Sequence, residues 1–428
     1  MTFAHDSLVS DDAVLDALVA AEAGLVRAWA AVGDLPPAEA ESITAVWDSL
    51  ALDVEAVARS AVDGGNPVIP LLSELRRALP EAQRGWLHRG ATSQDILDTA
   101  IMLVSRGAVD AVLADLSRAE AALVTLAREH RDVVAAGRTL GQHAVPTTVG
   151  LRAAGWLSGV RRSTGRLRSL TFPAQLGGAS GTRAAFVELG GAAATQLPAR
   201  FAEALELDHV GAVWHTSRWP ITELADALTQ ATDALGKLAG DIVTLTRTEL
   251  AEFSVGVGGG SSAMPQKRNP VAAVLIRSAA LRAPQLAATL HLCAALSEDE
   301  RPAGAWHAEW PTLRELLRLT LGASAHAVQL IAALRVDHEA VARNLALSRG
   351  LLLSERLSIV LTPRIGQARM AALVASAAAG GDLTTLLREL PEAADLDIPG
   401  LLDPAGYTGE AGAAVDHATG DGAGEVRS

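Results

Sequence analysis

The segment over residues 260–270 carries the residue types best suited to chemistry in this chain. Ser261, Ser262 and Lys267 supply two hydroxyls and an ammonium group, and the glycines just before them let the backbone approach a ligand closely. Asn269, followed by a proline, is typical of an N-cap and the first residue of a helix, where the helix dipole favours an anion. The segment therefore predicts a loop that binds an anionic substrate; a flexible loop with an ordinary cap is the structural alternative.

A second segment, residues 88–95, is suited to binding an anion at the start of a helix. Thr92 and Asp95 match the Ser/Thr-x-x-Asp/Glu capping box, a common structural feature that by itself indicates no function. The hydroxyls of Thr92 and Ser93 and the amide of Gln94 would also lie where the helix dipole attracts a carboxylate. The structural and functional interpretations are compatible.

Two further segments place a histidine among polar side chains. His143 follows Gln142 and lies near Arg138 in the sequence, and its ordinary pKa lets it exchange protons near neutrality. His215 and Arg218 precede another predicted helix start, and a surface position is as plausible for them as contact with a substrate. A lone histidine is usually just a satisfied polar residue, so the case for His143 rests on its neighbours.

One further segment is more typical of structure than of function, and several known catalytic and metal-binding motifs are absent from the sequence. Residues 298–310 combine an acidic run with two tryptophans, which is more typical of a solvated face and of packing than of ligand binding. The sequence has no phosphate-loop ending, no His-Glu-x-x-His pair, no paired cysteines and no Gly-x-Ser-x-Gly elbow. We therefore expect no metal site.

The composition bounds the compartment and the partners. The 428 residues carry a formal net charge of −13, which disfavours nucleic acid as a partner but permits a locally positive pocket for a small anion. Cys293 is the single cysteine, so no intramolecular disulfide forms, and a reducing cytoplasm is the expected location. No signal peptide and no uninterrupted apolar run of membrane-spanning length is apparent, which predicts a soluble protein without a membrane partner.

Helical spacing of apolar residues dominates the chain, and strand signals are few. Shorter helices are predicted over residues 11–32, 37–62 and 69–79. Five long helices are predicted over residues 93–130, 146–171, 219–252, 270–297 and 304–334. They indicate an all-α protein with an elongated bundle, whose sites lie between facing helices or in the connecting loops.

The connecting segments and the domain boundaries follow from the same pattern. Irregular segments are predicted at residues 137–145, 173–182, 211–220, 254–269 and 298–303. The helices shorten after residue 335, and the end of the chain from Gly420 is polar and glycine-rich. The predicted domains are residues 1–92, 93–335 and 336–428, with a frayed tail in the third.

The sequence over residues 261–270, Ser-Ser-Ala-Met-Pro-x-Lys-x-Asn-Pro, resembles the signature of the fumarase/aspartase superfamily of lyases. The blocks at residues 92–95 and 141–143 occur in the order expected for that superfamily, and the similarity covers residues 10–415. Within the superfamily, the chain most resembles the bacterial 3-carboxy-cis,cis-muconate cycloisomerases. The matching blocks are residues 88–95, 175–182, 214–216 and 304–310.

The resemblance implies three mostly helical domains and a homotetramer with a twenty-helix core, in which each active site draws loops from three subunits. It implies addition or elimination across a carbon–carbon bond beside a carboxylate, on a small di- or tricarboxylate, without a metal or organic cofactor. By position, Ser261 would transfer the proton, Ser262 would donate to the intermediate, and His143 would be the second acid or base. Lys267 completes the implied catalytic set by holding a carboxylate. The implied substrate contacts are Thr92, Ser93, Gln94, Asn269, Gln142, Arg138, His215, Arg218 and His88.

Two positions depart from the patterns of relatives. Adenylosuccinate and argininosuccinate lyases, which release fumarate, typically have Thr-His where this chain has Thr139-Leu140, and the cycloisomerases commonly have histidine at Gln266. The sequence interpretation places a lactonising cycloisomerase first. A lyase releasing fumarate from a nitrosuccinate-, adenylosuccinate- or aspartate-like succinate is second. A non-catalytic structural protein that keeps the fold is the alternative of another class, and the retained motif residues disfavour it.

Overall fold

The computed structural model describes residues 6–256, 259–260, 264 and 267–420, and the statements below refer to these residues. The part of the chain so described is mostly helical, with short paired strands between some of the helices. This agrees with the predicted all-α class.

The N-terminal helices are α1 (Asp11–Ala31), α2 (Pro37–Asp48), α3 (Val54–Gly64) and α4 (Val68–Ala78). The single helix predicted over residues 37–62 is wrong, because it is divided into α2 and α3. Asp53 begins the second of these, since its side chain accepts a hydrogen bond from the N–H of Ala56 at 3.0 Å. An aspartate N-cap of this kind starts a new helix inside an apolar pattern that looks continuous.

The middle of the chain holds the long helices. In chain order the helices are α5 (Ser93–Glu129), α6 (Val149–Arg168), α7 (Ala184–Gly190), α8 (Leu197–Ala204), α9 (Trp219–Leu245), α10 (Val271–Ala295) and α11 (Ala305–Ala333). All five predicted long helices are present as α5, α6, α9, α10 and α11. Their apolar spacing is strong enough to identify them from the sequence alone.

Three predicted helix ends are wrong. α6 begins at Val149 because Pro146 lies in a strand, and α9 ends at Leu245, well before residue 252. Asn269 also lies in a strand; the carbonyl of Pro270 accepts from the N–H of Val274 at 3.1 Å, so α10 starts one residue later than predicted. In each case the predicted helix extends over residues that form a strand or a turn.

Six short strands form three antiparallel pairs. They are β1 (Val134–Thr139), β2 (Gln142–Thr148), β3 (Phe253–Val255), β4 (Gly259–Gly260), β5 (Arg268–Asn269) and β6 (Leu334–Val336), paired as β1–β2, β3–β6 and β4–β5. The irregular segment predicted at 137–145 is therefore wrong, because it forms a hairpin. Its two-residue turn has positive φ at both Leu140 (51°) and Gly141 (82°), as in the turns that match strand twist.

The last part of the chain consists of short helices, as predicted. They are α12 (His338–Ala346), α13 (Ser354–Ile365), α14 (Gln367–Ala378), α15 (Leu383–Arg388), α16 (Ile398–Leu401) and α17 (Ala411–Thr419). Buried side chains of α13 to α16, among them Leu357, Leu361 and Leu387, pack into one apolar cluster. The predicted frayed tail, residues 421–428, lies outside the described residues.

The described residues form two compact units, each assembled from three separate stretches. The first unit contains those of Met1–Asp115, Ser163–Asp233 and Ser278–Ala325, and the second those of Leu116–Arg162, Ala234–Arg277 and His326–Ser428. The domain boundaries after residues 92 and 335 remain a prediction.

Two helices, α10 and α11, are long and apolar enough to cross a membrane by length and composition. The sequence interpretation found no such run because it counted the polar residues of α11 as interruptions, whereas average hydropathy tolerates them. In α11, 61% of the apolar window is buried. A core helix of a soluble protein has the same character, so these lengths do not indicate a membrane protein.

Candidate active site

The first turn of α5 is the best-defined part of the candidate site. The N–H of Thr92 donates to Oδ2 of Asp95 at 3.1 Å, so half of the predicted capping box is present. The other half is absent, because the Thr92 hydroxyl accepts instead from Nη2 of Arg301 at 2.6 Å. This hydroxyl therefore faces a cation rather than its own helix.

Asp95 fixes the start of α5 in the first unit. Its fully buried carboxylate accepts from the N–H groups of Gly177 and Gly178 at 2.7 and 2.9 Å, and from Nε2 of His215 at 2.8 Å. The loop at 177–178 cannot easily carry side chains: a Cβ on Gly177 would lie 2.7 Å from the ring of His215. Asp95, the 177–178 loop and His215 therefore pack together and hold the first turn of α5 in place.

Arg218 lies beneath these residues and is 3% exposed, so the surface alternative considered for it is wrong. Its Nη atoms donate to both oxygens of Asp98 at 2.7 and 3.0 Å, and Nε and Nη2 donate to Glu309. Burial lowers the pKa of Arg218, but the two carboxylates raise it by more than burial lowers it. The net pKa is therefore raised, and the guanidinium stays charged. All three nitrogens are occupied, which argues against the predicted direct contact with substrate and indicates a supporting role.

Gln94 and His215 are also committed to the protein interior. Gln94 has no exposed area, and its Nε2 donates to the carbonyl of His215 at 2.8 Å and to Asp98 at 3.2 Å. His215 is 3% exposed and, through Nε2, bound to Asp95, so the surface alternative is wrong for it too. We infer that both residues shape the site from behind rather than contact the substrate as predicted.

Arg301 is the residue that sequence reasoning missed. Besides Thr92, it reaches the carbonyl of Ala179 at 3.3 Å and, through Nε, Oε1 of Gln94 at 3.3 Å. Within the part of the chain that the structure describes, no carboxylate pairs with it. An uncompensated guanidinium over the N-terminus of a 37-residue helix favours an anion. The only signal for it in the sequence was a single cation directly after the acidic run at 298–300.

His88 adds a second positive group in the same unit. Its Nδ1 lies 2.6 Å from Oε1 of Glu22, a carboxylate with no exposed area, and the main-chain N–H of His88 donates to Oε2 at 3.1 Å. Burial lowers the pKa of the imidazole, but the hydrogen bond and charge of Glu22 outweigh burial and leave the pKa raised. His88 is therefore bound to Glu22 through Nδ1, which leaves only Nε2 to reach a substrate.

The β1–β2 hairpin carries the second set of predicted residues, in the second unit. His143 and Gln142 lie opposite Arg138 and Thr139 in the register. His143 has no side-chain hydrogen bond among the described residues and is partly exposed, so its ring nitrogens are available to a ligand. Arg138 differs, because both outer nitrogens of its guanidinium donate to Glu252 and its side chain is 17% exposed. Arg138 therefore forms an internal ion pair with Glu252, and its contact with the substrate stays a prediction.

The third set of predicted residues lies within the segment over residues 260–270. Ser261 and Ser262 lie outside the described residues. β4 and β5 pair Gly259 with Asn269, so the two ends of the segment are held side by side. Lys267 is exposed, and its main-chain N–H donates to the carbonyl of Met264 at 3.0 Å.

The structure thus brings some predicted residues together and leaves others apart. His88, Thr92, Ser93, Gln94, His215 and Arg218 belong to the first unit, whereas Arg138, Gln142, His143, Lys267 and Asn269 belong to the second. Among the described residues, no group of three His, Cys, Asp or Glu side chains is arranged to hold a metal. The cation and hydroxyl groups at the start of α5 are suited to bind a carboxylate.

Known proteins are similar to this chain over most of its length. Residues 4–284 match the family described as lyase. A nitrosuccinate lyase from Streptomyces davaonensis is 44% identical over 97% of this chain and 92% of its own length. A 3-carboxy-cis,cis-muconate cycloisomerase from Bradyrhizobium diazoefficiens is 42% identical over 83% of this chain and 80% of its own.

The fold is shared with a solved structure as well. The crystal structure of the 3-carboxy-cis,cis-muconate lactonizing enzyme from Pseudomonas putida has a TM-score of 0.89 and 36% identity, and covers 98% of this chain and 97% of its own. The resemblance deduced from the motifs is therefore confirmed. The chain belongs to the lyase family and is an all-α enzyme of the fumarase/aspartase superfamily.

Proposed function

We propose that this enzyme removes the substituent from a 2-substituted succinate and releases fumarate, and that its substrate is nitrosuccinate. The observation that carries this choice is the 44% identity to a nitrosuccinate lyase over 97% of the chain. The cycloisomerase relative matches at 42% over 83%. The function that the sequence interpretation placed second therefore becomes the first candidate.

The reaction is an elimination in which atoms and charges balance. A base takes a proton from the CH₂ group of nitrosuccinate, the released electron pair forms the C=C bond, and the C–N bond breaks with its pair on nitrite. Negative charge builds on the carboxylate next to the reacting carbon before nitrite leaves. Preorganised donors and cations around that carboxylate are therefore the main source of rate acceleration.

We assign roles within this scheme from the sequence motif and the described contacts. Ser261 is the base and Ser262 a donor to the intermediate, while Lys267 and Asn269 bind the carboxylate that accumulates charge. His143 serves as the second acid or base, and the absence of a hydrogen bond to its side chain among the described residues supports that role.

The other end of the substrate is assigned to the first turn of α5. Thr92, Ser93 and Arg301 offer two hydroxyls and a guanidinium at the positive end of a long helix dipole. This group is suited to a carboxylate or to the isoelectronic nitro group. Gln94 and His215 hold it in place from the protein interior.

We also propose a cytoplasmic homotetramer whose sites are shared between subunits. Helix α10 supports this, because it exposes large apolar side chains that a monomer would leave in water. These are Val271, Val274, Leu281 and Leu292, with exposed fractions of 44%, 52%, 76% and 61%. The cytoplasm is favoured by the single cysteine, Cys293, which is buried and reduced.

Cycloisomerisation of 3-carboxy-cis,cis-muconate is the second candidate, favoured by the TM-score of 0.89 to the lactonizing enzyme. In that reaction a substrate carboxylate adds to the conjugated diene while a proton is delivered to the neighbouring carbon. The same cationic groups would bind the carboxylates. The two candidates differ in product, so one assay separates them.

The decisive experiment supplies each substrate to the purified enzyme. We expect nitrosuccinate to yield fumarate and nitrite in equal amounts, and 3-carboxy-cis,cis-muconate to keep its absorbance. Loss of the muconate absorbance without fumarate from nitrosuccinate would establish the second candidate. The Ser261→Ala variant should keep the assembly mass but lose turnover by several orders of magnitude, about 10³-fold or more; full activity would refute the role of the serine.

A further inference from the structure

Glu252 is a fully buried carboxylate that the proposed chemistry does not use. Its side chain has no exposed area, and it lies immediately before β3 in the second unit. A buried ionised carboxylate is costly unless it is paired and hydrogen-bonded. Its partners therefore show which elements it holds together.

Three different elements contribute those partners. Arg138 of β1 binds both carboxylate oxygens through its two outer nitrogens, with Nη1 to Oε2 at 3.2 Å. Asn344 of α12 donates to Oε1 at 3.0 Å, and Nη1 of Arg152 in α6 lies 3.5 Å from Oε2. One carboxylate thus connects the hairpin, a long helix and a C-terminal helix.

The main chain at Glu252 is anchored as well. Its carbonyl accepts from the N–H of Asp337 at 2.9 Å, and Asp337 in turn caps α12 by accepting from Ala340 at 2.8 Å. The following strand, β3, pairs with β6. The side chain of Glu252 therefore projects from a rigidly held backbone.

The hairpin needs such an anchor near Arg138. The register of β1 and β2 shifts between Ala136 and Arg138, and this irregularity interrupts the ladder of hydrogen bonds beside the catalytic candidate. Arg138 lies directly opposite His143 across the hairpin. Fixing the guanidinium therefore fixes the strand that faces His143.

We propose that Glu252 is a positioning residue, which by binding Arg138 holds the His143 hairpin in place relative to β3. Glu252 contacts no substrate itself. The inference rests on the proposed function, because that function gives His143 its role. It goes further by naming the residue that sets the position of the strand opposite His143.

The ionisation of Glu252 agrees with this role. Burial raises the pKa of its carboxyl group, but the hydrogen bonds from Arg138 and Asn344, together with the charges of Arg138 and Arg152, outweigh burial and leave the pKa below its usual range. The carboxyl group of Glu252 therefore ionises more readily than an ordinary glutamate, which favours its ion pair with Arg138.

The kinetic test uses Glu252→Gln, which keeps the size but turns one acceptor into a donor facing an arginine. We expect kcat to fall about 10- to 100-fold while KM stays within about two-fold, because misplacement of a catalytic group costs rate more than binding. Arg138→Lys, which keeps the charge but loses two-point binding, should show a smaller fall in the same direction. The variant that combines Glu252→Gln with Arg138→Lys should be no slower than Glu252→Gln alone, because both substitutions disrupt the same ion pair.

The matched control is Asp416→Asn, which breaks another ion pair of the second unit, that with Arg131 at 2.6 Å. Its Tm should fall without a change in kcat. If Glu252→Gln lowers Tm by a similar amount and leaves kcat unchanged, Glu252 only stabilises the fold and the proposal is overturned.

A second measurement does not require turnover. Amide hydrogen exchange of the unliganded Glu252→Gln protein should be faster in both residues 134–148 and residues 253–256, with the Asp416→Asn protein unchanged there. Faster exchange confined to residues 338–346 would overturn the proposal. If the unmodified enzyme turned over neither nitrosuccinate nor the muconate, the proposed function would fail, and hydrogen exchange would still decide the role of Glu252.

Discussion

Individual side chains in the candidate site divide into those free to meet a ligand and those bound inward. Thr92, Arg301 and His143 are in the first class, whereas Gln94 and Arg218 are in the second. The sequence motif could not separate the classes, because it shows which residues are present but not which partners they have. Arg301 lies 209 positions from Thr92 in the sequence, so no local pattern predicts their contact.

The Arg301→Met variant tests the cation at the start of α5. Removing the guanidinium should raise KM for nitrosuccinate about 10- to 100-fold, because a charge-assisted hydrogen bond to a carboxylate or nitro group is lost. Steady-state kinetics measure the change. Arg27→Met, at an exposed arginine of the same unit, is the control and should behave as the unmodified enzyme. An unchanged KM in Arg301→Met would contradict the assignment.

The His88–Glu22 pair predicts a pH dependence of stability. The folded pKa of His88 is raised above its unfolded value, so the stabilisation is fully present below the unfolded pKa and is lost as pH rises through the folded pKa. We expect Tm to decrease as pH rises above 6.5, the ordinary pKa of histidine, in the unmodified protein. Glu22→Gln should remove most of this slope. Equal slopes in thermal denaturation of both proteins would argue against it.

The elements show where sequence reasoning succeeds and where it stops. The long helices are predictable because apolar side chains recur at helical spacing over many turns, as in α5 with Ile96, Ala100 and Leu103. The β1–β2 hairpin is not, because Leu140 occupies a left-handed position that normally requires glycine or asparagine. Short strands depend on partners distant in sequence, and β3 with β6 is an example.

Packing of the 177–178 loop against α5 gives an element-level prediction. Gly177→Ala should lower Tm and turnover, with about 1–3 kcal/mol of destabilisation, because its Cβ would lie 2.7 Å from both the His215 ring and Val213. Calorimetry and the fumarate assay measure the two effects. Gly107→Ala is the matched control: it has open space around its Cβ in α5 and should be neutral or slightly stabilising. A fully stable, fully active Gly177→Ala protein would be incompatible with this packing.

For the assembled protein, the exposed face of α10 leads to a prediction about mass. Leu281→Glu should weaken the homotetramer, because a charge replaces an apolar side chain that is 76% exposed in one chain. Analytical ultracentrifugation at several concentrations would show smaller species. Val62→Glu alters a side chain that is 80% exposed on α3 and should leave the mass unchanged. A Leu281→Glu protein of undiminished mass would place this face outside the interface.

The main-chain amides of Gly177 and Gly178 donate the hydrogen bonds that hold the Asp95 carboxylate. Amide donors are the same whichever side chains follow them, so Ala179, Ser180 and Thr182 can be varied without releasing the helix start. Gly181 has a φ of 79°, which favours glycine. Enzyme engineers who seek new substrates should therefore randomise those three positions and leave the three glycines untouched.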